Sequence, residues 1–227
     1  MQLSDVIPWG RSLDEYTQMF ALTTDDLAKR LLGCGDGPAS FNAELSARDG
    51  DITSVDPIYR FDAEQIRVRI NAVYPEVMAQ LARHRDDYVW TRIESIEALG
   101  QARLQAMHAF LEDYAQHRGS GRYIDAALPA LPFADDSFDL AVCSHYLFLY
   151  SAHVSQHAHL QSMVELCRVA HEVRVYPLLS LNDNRPSPHL EPVMSALTQL
   201  GITVSRVPVD YEFQKGATEM LVARRVE

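Results

Sequence analysis

The sequence predicts an α/β protein built on a mostly parallel, doubly wound sheet. First, a glycine-rich stretch at residues 33–37 follows an apolar run and precedes a helical pattern. Second, an apolar strand at residues 52–55 ends in an acid, Asp56. Third, strand and helix patterns alternate again over residues 123–200. Strand, glycine loop, helix and strand in this order open a βαβ unit.

The first 28 residues are predicted to form a helical approach segment. Ser12 is followed three residues later by Glu15, the capping-box spacing that starts a helix. Tyr16, Met19 and Phe20 then fall on one helical face. Residues 24–26 indicate a further helix start or a turn.

The βαβ unit itself is predicted over residues 27–58. Residues 27–32 lead as a short buried strand into the glycine turn, and residues 38–47 form the next helix. A turn at residues 49–51 precedes the second strand at residues 52–55.

Residues 62–118 interrupt this rhythm. They lack strand signals, and apolar residues recur there at helical spacing. We interpret the segment as two or three helices inserted after the second strand. Such an insertion is a lid, an acceptor pocket or a dimer surface.

The remainder of the chain is predicted to complete one domain spanning residues 1–227. We expect strands at 123–124, 138–143 and 172–179, helices at 156–170 and 188–200, and a closing antiparallel pair at 202–207 and 220–224.

Composition argues against several classes of function. The formal net charge is −11 and basic residues do not cluster, which disfavours nucleic-acid partners. No apolar run reaches the roughly 18 residues of a membrane span, and the N-terminus lacks a signal-peptide pattern. Three cysteines without paired spacing indicate reduced thiols in the cytoplasm.

Four pieces of the sequence resemble the S-adenosylmethionine (SAM)-dependent methyltransferases. They are the glycine loop at residues 33–37, the acid Asp56, the turn into the fourth strand at residues 131–139, and the helical segment at residues 165–169. The resemblance implies a Rossmann-like class I methyltransferase fold. Its mostly parallel seven-stranded sheet would carry helices on both faces and the helical insertion after the second strand. It also implies SAM as cofactor, without a metal.

The same resemblance implies a set of cofactor-binding positions. They are Gly33, Cys34, Gly35 and Asp36 in the loop, Asp56 and Pro57 after the second strand, Leu128 beside the adenine, and Ser144 after the fourth strand. Two positions depart from the family pattern: Leu31 and Ala127 stand where acids are usual.

Arg11 and Tyr16, with Trp9, are candidates to close over the methionine end of SAM. In this interpretation Arg11 pairs with the methionine carboxylate. The alternative is a helix N-terminus with a surface arginine and packing aromatics.

Candidates for chemistry follow the fourth and fifth predicted strands. His145 is a possible general base beside Ser144, or Ser144 caps a helix and His145 is partly buried. Tyr176 and Ser180 would share a strand face, with Asn182 nearby, or these residues form an edge and a turn. His153, His157 and His159 lack a completing ligand, which favours a solvated helix face over a metal site.

Two reactions fit these residues. The first is methyl transfer from SAM to a small-molecule acceptor. The second is intramolecular cyclisation of SAM to azetidine-2-carboxylate with release of methylthioadenosine, as in azetidine-2-carboxylate synthase-like relatives. Leu31 in place of the acid suits the second, because a nearby carboxylate favours the protonated amine. A protein that binds SAM without turnover is a third possibility, and a homodimer is possible in each case.

Overall fold

The computed structural model describes residues 7–181 and 183–225, and its centre is a seven-stranded sheet of order β3-β2-β1-β4-β5-β7-β6. The pairings among β1 to β5 are parallel, and β7 runs antiparallel to both β5 and β6. This confirms the predicted fold. The strands are β1 (Leu31–Cys34), β2 (Ile52–Val55), β3 (Tyr123–Ile124), β4 (Phe138–Ser144), β5 (Ala170–Tyr176), β6 (Ile202–Pro208) and β7 (Glu219–Arg225).

Helices follow the strands in the predicted order, with two short 3₁₀ turns at Pro57–Arg60 and Arg85–Asp87. The capping box of Ser12 and Glu15 is present at the start of the first helix. The helices are α1 (Leu13–Met19), α2 (Thr24–Leu27), α3 (Phe41–Ser46), α4 (Ala63–Arg83), α5 (Ile96–His117), α6 (Gln156–Val169) and α7 (Leu190–Gln199).

The central strand β4 is buried on both faces. Leu140 and Val142 pack with α1 and α3, and Ala141 and Cys143 pack with α6 and α7. A near-continuous apolar run is what a parallel strand covered by helices on both sides requires.

The insertion consists of α4 and α5 and packs on the β3 edge of the sheet. Along α5 the buried side chains of Met107, Phe110 and Tyr114 contact Tyr59 and Tyr123. The Tyr114 hydroxyl donates to the Tyr59 carbonyl at 2.6 Å. The apolar face of α5 is therefore buried within the chain itself.

Several predicted boundaries were wrong. β1 begins at Leu31 and not at residue 27, because α2 occupies the chain up to Leu27. The next helix begins at Phe41 and not at residue 38, since the Ala39 amide bonds to the Asp36 carbonyl and the Ser40 amide bonds to the Arg11 carbonyl ahead of α1. β5 ends at Tyr176 and not at residue 179, because Pro177 follows and has no N–H for the ladder.

The prediction for His159 was also wrong. His159 is fully buried; its Nε2 accepts from the Phe148 amide at 2.9 Å, and its Nδ1 lies 2.9 Å from the Ser155 carbonyl. It braces the loop after β4, whereas His153 and His157 are exposed. In residues 7–181 and 183–225 no cluster of metal-ligating side chains is present. Nor does any helix in these ranges have the length and apolarity to cross a membrane.

Candidate active site

A cavity of about 700 Å³ opens at the carboxyl ends of the parallel strands. Its walls include the loop after β1, Asp56 after β2, Ser144 and His145 at the end of β4, and Tyr176 at the end of β5. Ligands of doubly wound sheets bind at this edge. The volume lies within the roughly 300–1,000 Å³ of small-molecule sites.

The glycine loop requires its glycines. Gly35 and Gly37 have φ angles of 72° and 53°, in the left-handed region that suits glycine. Gly33 lies within β1, where an added Cβ would fall 1.8 Å from the Asp36 Oδ2 atom. The chain can therefore fold the Asp36 side chain back beneath the loop.

Asp36 braces the loop from its buried side. Its Oδ1 accepts from the Tyr16 hydroxyl at 2.8 Å and its Oδ2 from the Ser54 hydroxyl at 2.6 Å. Burial raises the pKa of Asp36 to about 7. Tyr16, only 1% exposed, is thus anchored under the loop, where sequence reasoning expected it to close over a ligand.

Asp56 joins the loop to the end of β2. Its Oδ2 accepts from the Gly37 amide at 2.9 Å and its Oδ1 from the Ile58 amide at 2.8 Å. Burial raises the pKa of Asp56 to about 6. A carboxylate oxygen has about two lone-pair sites, so each can accept one further bond from a ligand in the cavity.

Arg11 supplies the cavity with a cation that forms no ion pair with an acid in the described part of the chain. Across the described ranges no carboxylate lies within 4 Å of its guanidinium, and its buried Nε has no hydrogen-bond partner. One Nη donates weakly to the Trp9 carbonyl at 3.4 Å. Burial and the charge of Arg103 lower the pKa of Arg11.

Ser144 and His145 turn into the cavity from the end of β4. The Ser144 hydroxyl lies 2.9 Å from His145 Nδ1, and the His145 amide donates to the Tyr176 carbonyl at 2.8 Å. Burial and the charges of Arg11 and Arg103 hold the pKa of His145 well below its usual value. Nε2 bonds to nothing in the described part of the chain, so a neutral imidazole nitrogen is available to a ligand.

Tyr176 borders the cavity with its ring, 5.7 Å from the His145 ring, while its hydroxyl donates to the Ala217 carbonyl at 2.9 Å. The hydroxyl is therefore committed to the segment between β6 and β7. Ser180 does not share a strand face with Tyr176, because β5 ends first; it lies off the cavity wall. Asn182 lies outside the described residues.

The insertion and the segment between β6 and β7 form the far wall. Tyr88 stacks on Phe213 at 4.9 Å, and the Val89 amide donates to the Phe213 carbonyl at 2.7 Å. Sequence reasoning did not select Phe213 or its neighbour Gln214. The only available signal was an aromatic residue between two predicted strands, a feature shared by many loops.

Four predicted cofactor positions lie off the cavity wall: Gly33, Cys34, Pro57 and Leu128. Gly33 and Cys34 are inside β1, and Pro57 starts a 3₁₀ turn. Leu128 is 8% exposed and packs in the core beside α6. Of the other predicted positions, Arg11, Tyr16, Gly35, Asp36, Asp56, Ser144, His145 and Tyr176 surround the cavity.

Comparison with known proteins identifies one sequence relative and solved structures with a similar fold. No family model matches the sequence. An uncharacterized protein of Methanocaldococcus jannaschii is 29% identical over 226 residues, covering 99% of each chain. An O-methyltransferase from neocarzinostatin biosynthesis, solved with S-adenosylmethionine and 2-hydroxy-5-methyl naphthoic acid, superposes with a TM-score of 0.50 at 12% identity. That match covers 92% of this chain and 52% of the other.

The chain has the class I methyltransferase fold. A TehB-like SAM-dependent methyltransferase from Corynebacterium glutamicum also matches, at a TM-score of 0.49 and 12% identity over 94% of this chain and 87% of the other. At such identities the likeness concerns the path of the chain. Activity has to be argued from the side chains around the cavity.

Proposed function

We propose that this protein is a SAM-dependent methyltransferase acting on a small-molecule acceptor. The observation that carries the proposal is the pairing of the Gly35–Gly37 loop with Asp56 on one wall of the cavity. In the class I methyltransferase fold this is where an adenosine would lie. The SAM-bound neighbour from neocarzinostatin biosynthesis supports the same cofactor.

The residues present fit SAM at both ends. Asp56 keeps acceptor capacity for the two ribose hydroxyls, and the glycines let the backbone approach the ligand closely. Arg11, whose buried Nε has no hydrogen-bond partner within residues 7–181 and 183–225, fits the methionine carboxylate. Bound SAM supplies a methyl group activated by its sulfonium leaving group, so the chain mainly has to orient the acceptor.

His145 is placed to take the acceptor's proton, although the burial and the arginine charges that lower its pKa make it a weak base. Its imidazole is kept neutral, its Nδ1 is held by Ser144, and its Nε2 is open to the cavity. Tyr176, with its ring beside His145, contributes an aromatic wall near the reacting groups.

The acceptor would lie toward the wall formed by Tyr88 and Phe213. Among the described lining residues Arg11 is the one arginine or lysine, against the four aspartates Asp36, Asp56, Asp87 and Asp183, of which Asp36 is only partly ionised at neutral pH because burial raises its pKa to about 7. An anionic acceptor would be repelled by this balance. We therefore favour a neutral or cationic acceptor.

The first experiment incubates the purified protein with SAM alone and then with panels of small amines, phenols and carboxylic acids. Products are followed by mass spectrometry, and binding is measured by calorimetry. S-adenosylhomocysteine formed only with an amine or phenol supports the proposal. Methylthioadenosine with a four-membered amino acid from SAM alone would replace methyl transfer by cyclisation, and no SAM binding would refute both.

A further inference from the structure

Arg103 occupies a position that the packing of α5 does not explain. It is 0% exposed and stands on the buried face of the helix with Leu99, Met107 and Phe110. Removing a guanidinium from water is costly unless it is closely paired. An arginine at this position therefore calls for a reason beyond filling space.

Its partner is Glu15 on α1. Arg103 binds both carboxylate oxygens, with Nη2 at 2.7 Å from Oε1 and Nη1 on Oε2. The Tyr211 hydroxyl also donates to Oε1, at 2.9 Å, and the Ser12 amide donates to Oε2 at 3.3 Å. Glu15 is thus saturated by donors from α1, from the insertion, and from the segment between β6 and β7.

Arg11 lies four residues before Glu15, just ahead of α1, and the charges of the two side chains act on each other. Arg103 and Arg11 are the cations that act on Glu15, yet only Arg103 forms the ion pair. Among the described residues the buried Nε of each arginine has no hydrogen-bond partner, and of the two only Arg11 borders the cavity. Without Arg103, Arg11 would become the natural partner of the Glu15 carboxylate.

We infer that Arg103 is a positioning residue that holds Glu15 and thereby reserves Arg11 for the carboxylate of an amino-acid-bearing ligand. The inference rests on the proposed function, since it takes the ligand to be SAM or its product. It gives the inserted helix α5 a part in ligand selection, although α5 itself lies behind the cavity wall.

The test compares two ligands that share adenosine and differ at the amino-acid end. Calorimetry measures the Kd of S-adenosylhomocysteine, which carries the carboxylate, and of methylthioadenosine, which lacks it. In Arg103→Met we expect S-adenosylhomocysteine to bind about 10-fold or more weakly, and methylthioadenosine within about twofold of wild type. Adding Glu15→Gln should restore S-adenosylhomocysteine binding to within about threefold, because Arg11 then has no competing anion.

If Arg103→Met binds both ligands equally more weakly, or binds both as wild type does, the inference is overturned. The proposed function still stands in that case, provided that the wild-type protein binds S-adenosylhomocysteine. Wild-type protein that binds neither ligand would refute the proposed function itself. Arg103→Met leaves Glu15 without its main partner and can fail to fold. In that event Tyr211→Phe decides: it removes one donor from Glu15, and a loss of about 2–5-fold for S-adenosylhomocysteine alone is expected. No selective loss in Tyr211→Phe would overturn the inference.

Discussion

Asp56 accepts two backbone amides while it borders the cavity, and burial raises its pKa to about 6. A ribose hydroxyl donates a stronger bond to an ionised carboxylate than to a protonated one. The affinity for S-adenosylhomocysteine should therefore rise as the pH passes upward through 6. We expect binding at pH 5 to be about 3–10-fold weaker than at pH 7.5.

Asp56→Asn is the matched control for this pH dependence, because it keeps the side-chain shape without the titration. We expect its binding to change little between pH 5 and 7.5, and Asp56→Ala to lose about 100-fold at pH 7.5. Calorimetry at both pH values measures this. A wild-type affinity that is flat with pH, or an unaltered affinity of Asp56→Ala, would remove Asp56 from the site.

His145 has a φ of 53°, a left-handed conformation that asparagine tolerates and most side chains do not. His145→Asn therefore removes the imidazole with little backbone strain. We expect turnover with the identified acceptor to fall by about 10²–10⁴-fold, since a general base contributes roughly that much. The Kd of S-adenosylhomocysteine should stay within about threefold; turnover close to wild type would show that the acceptor needs no base at this position.

At the residue scale, sequence reasoning predicted the position of a side chain at the sheet edge where that side chain directly follows a strand end, and its role there stays a prediction. Asp56, Ser144 and His145 were predictable because the sheet edge is defined by strand ends. The isolation of Arg11 was not, because it depends on Arg103, which lies 92 positions later in the chain. No local pattern reports such a distant pairing.

At the element scale, the inserted helices also show that local sequence patterns do not predict contacts between distant parts of the chain. Helical spacing predicted α4 and α5, since apolar residues at every third or fourth position require a face to bury. It did not predict that Tyr88, between these helices, would stack on Phe213 between β6 and β7. That contact joins two loops, and loop composition carries little information about partners.

The stacked pair gives a test of how the insertion is held at the cavity. Tyr88→Ala removes one ring, and the loss of a stack worth about 0.5–1.5 kcal/mol should loosen the loop. We expect hydrogen exchange at the Val89 amide, which donates to the Phe213 carbonyl, to accelerate by up to about 10-fold. Tyr88→Phe keeps the ring and should exchange as wild type; acceleration in both variants would show that the ring stack is not what holds the loop.

For the whole molecule, the buried Asp36 carboxyl beneath the loop contributes a pH dependence to stability. Burial raises the pKa of Asp36 to about 7, while in the unfolded chain it ionises near its usual value of about 4. Between these values the folded state binds more protons than the unfolded state. The contribution of Asp36 to the free energy of unfolding therefore falls as the pH rises from about 4 to 7. The hydrogen bonds that Asp36 accepts from the Tyr16 and Ser54 hydroxyls, which hold the glycine loop, offset this loss of stability.

Asp36→Asn keeps a hydrogen-bonding amide at this position and removes the titration. We expect the variant to match wild type near pH 5 and to exceed its free energy of unfolding by roughly 1–3 kcal/mol at pH 8. Urea denaturation at the two pH values measures the difference. Asp49→Asn, at an exposed position where a φ of 61° suits asparagine, is the control and should shift neither curve. An Asp36→Asn variant whose advantage does not grow with pH would mean that Asp36 is already ionised beneath the loop at low pH, held by its two hydroxyl donors.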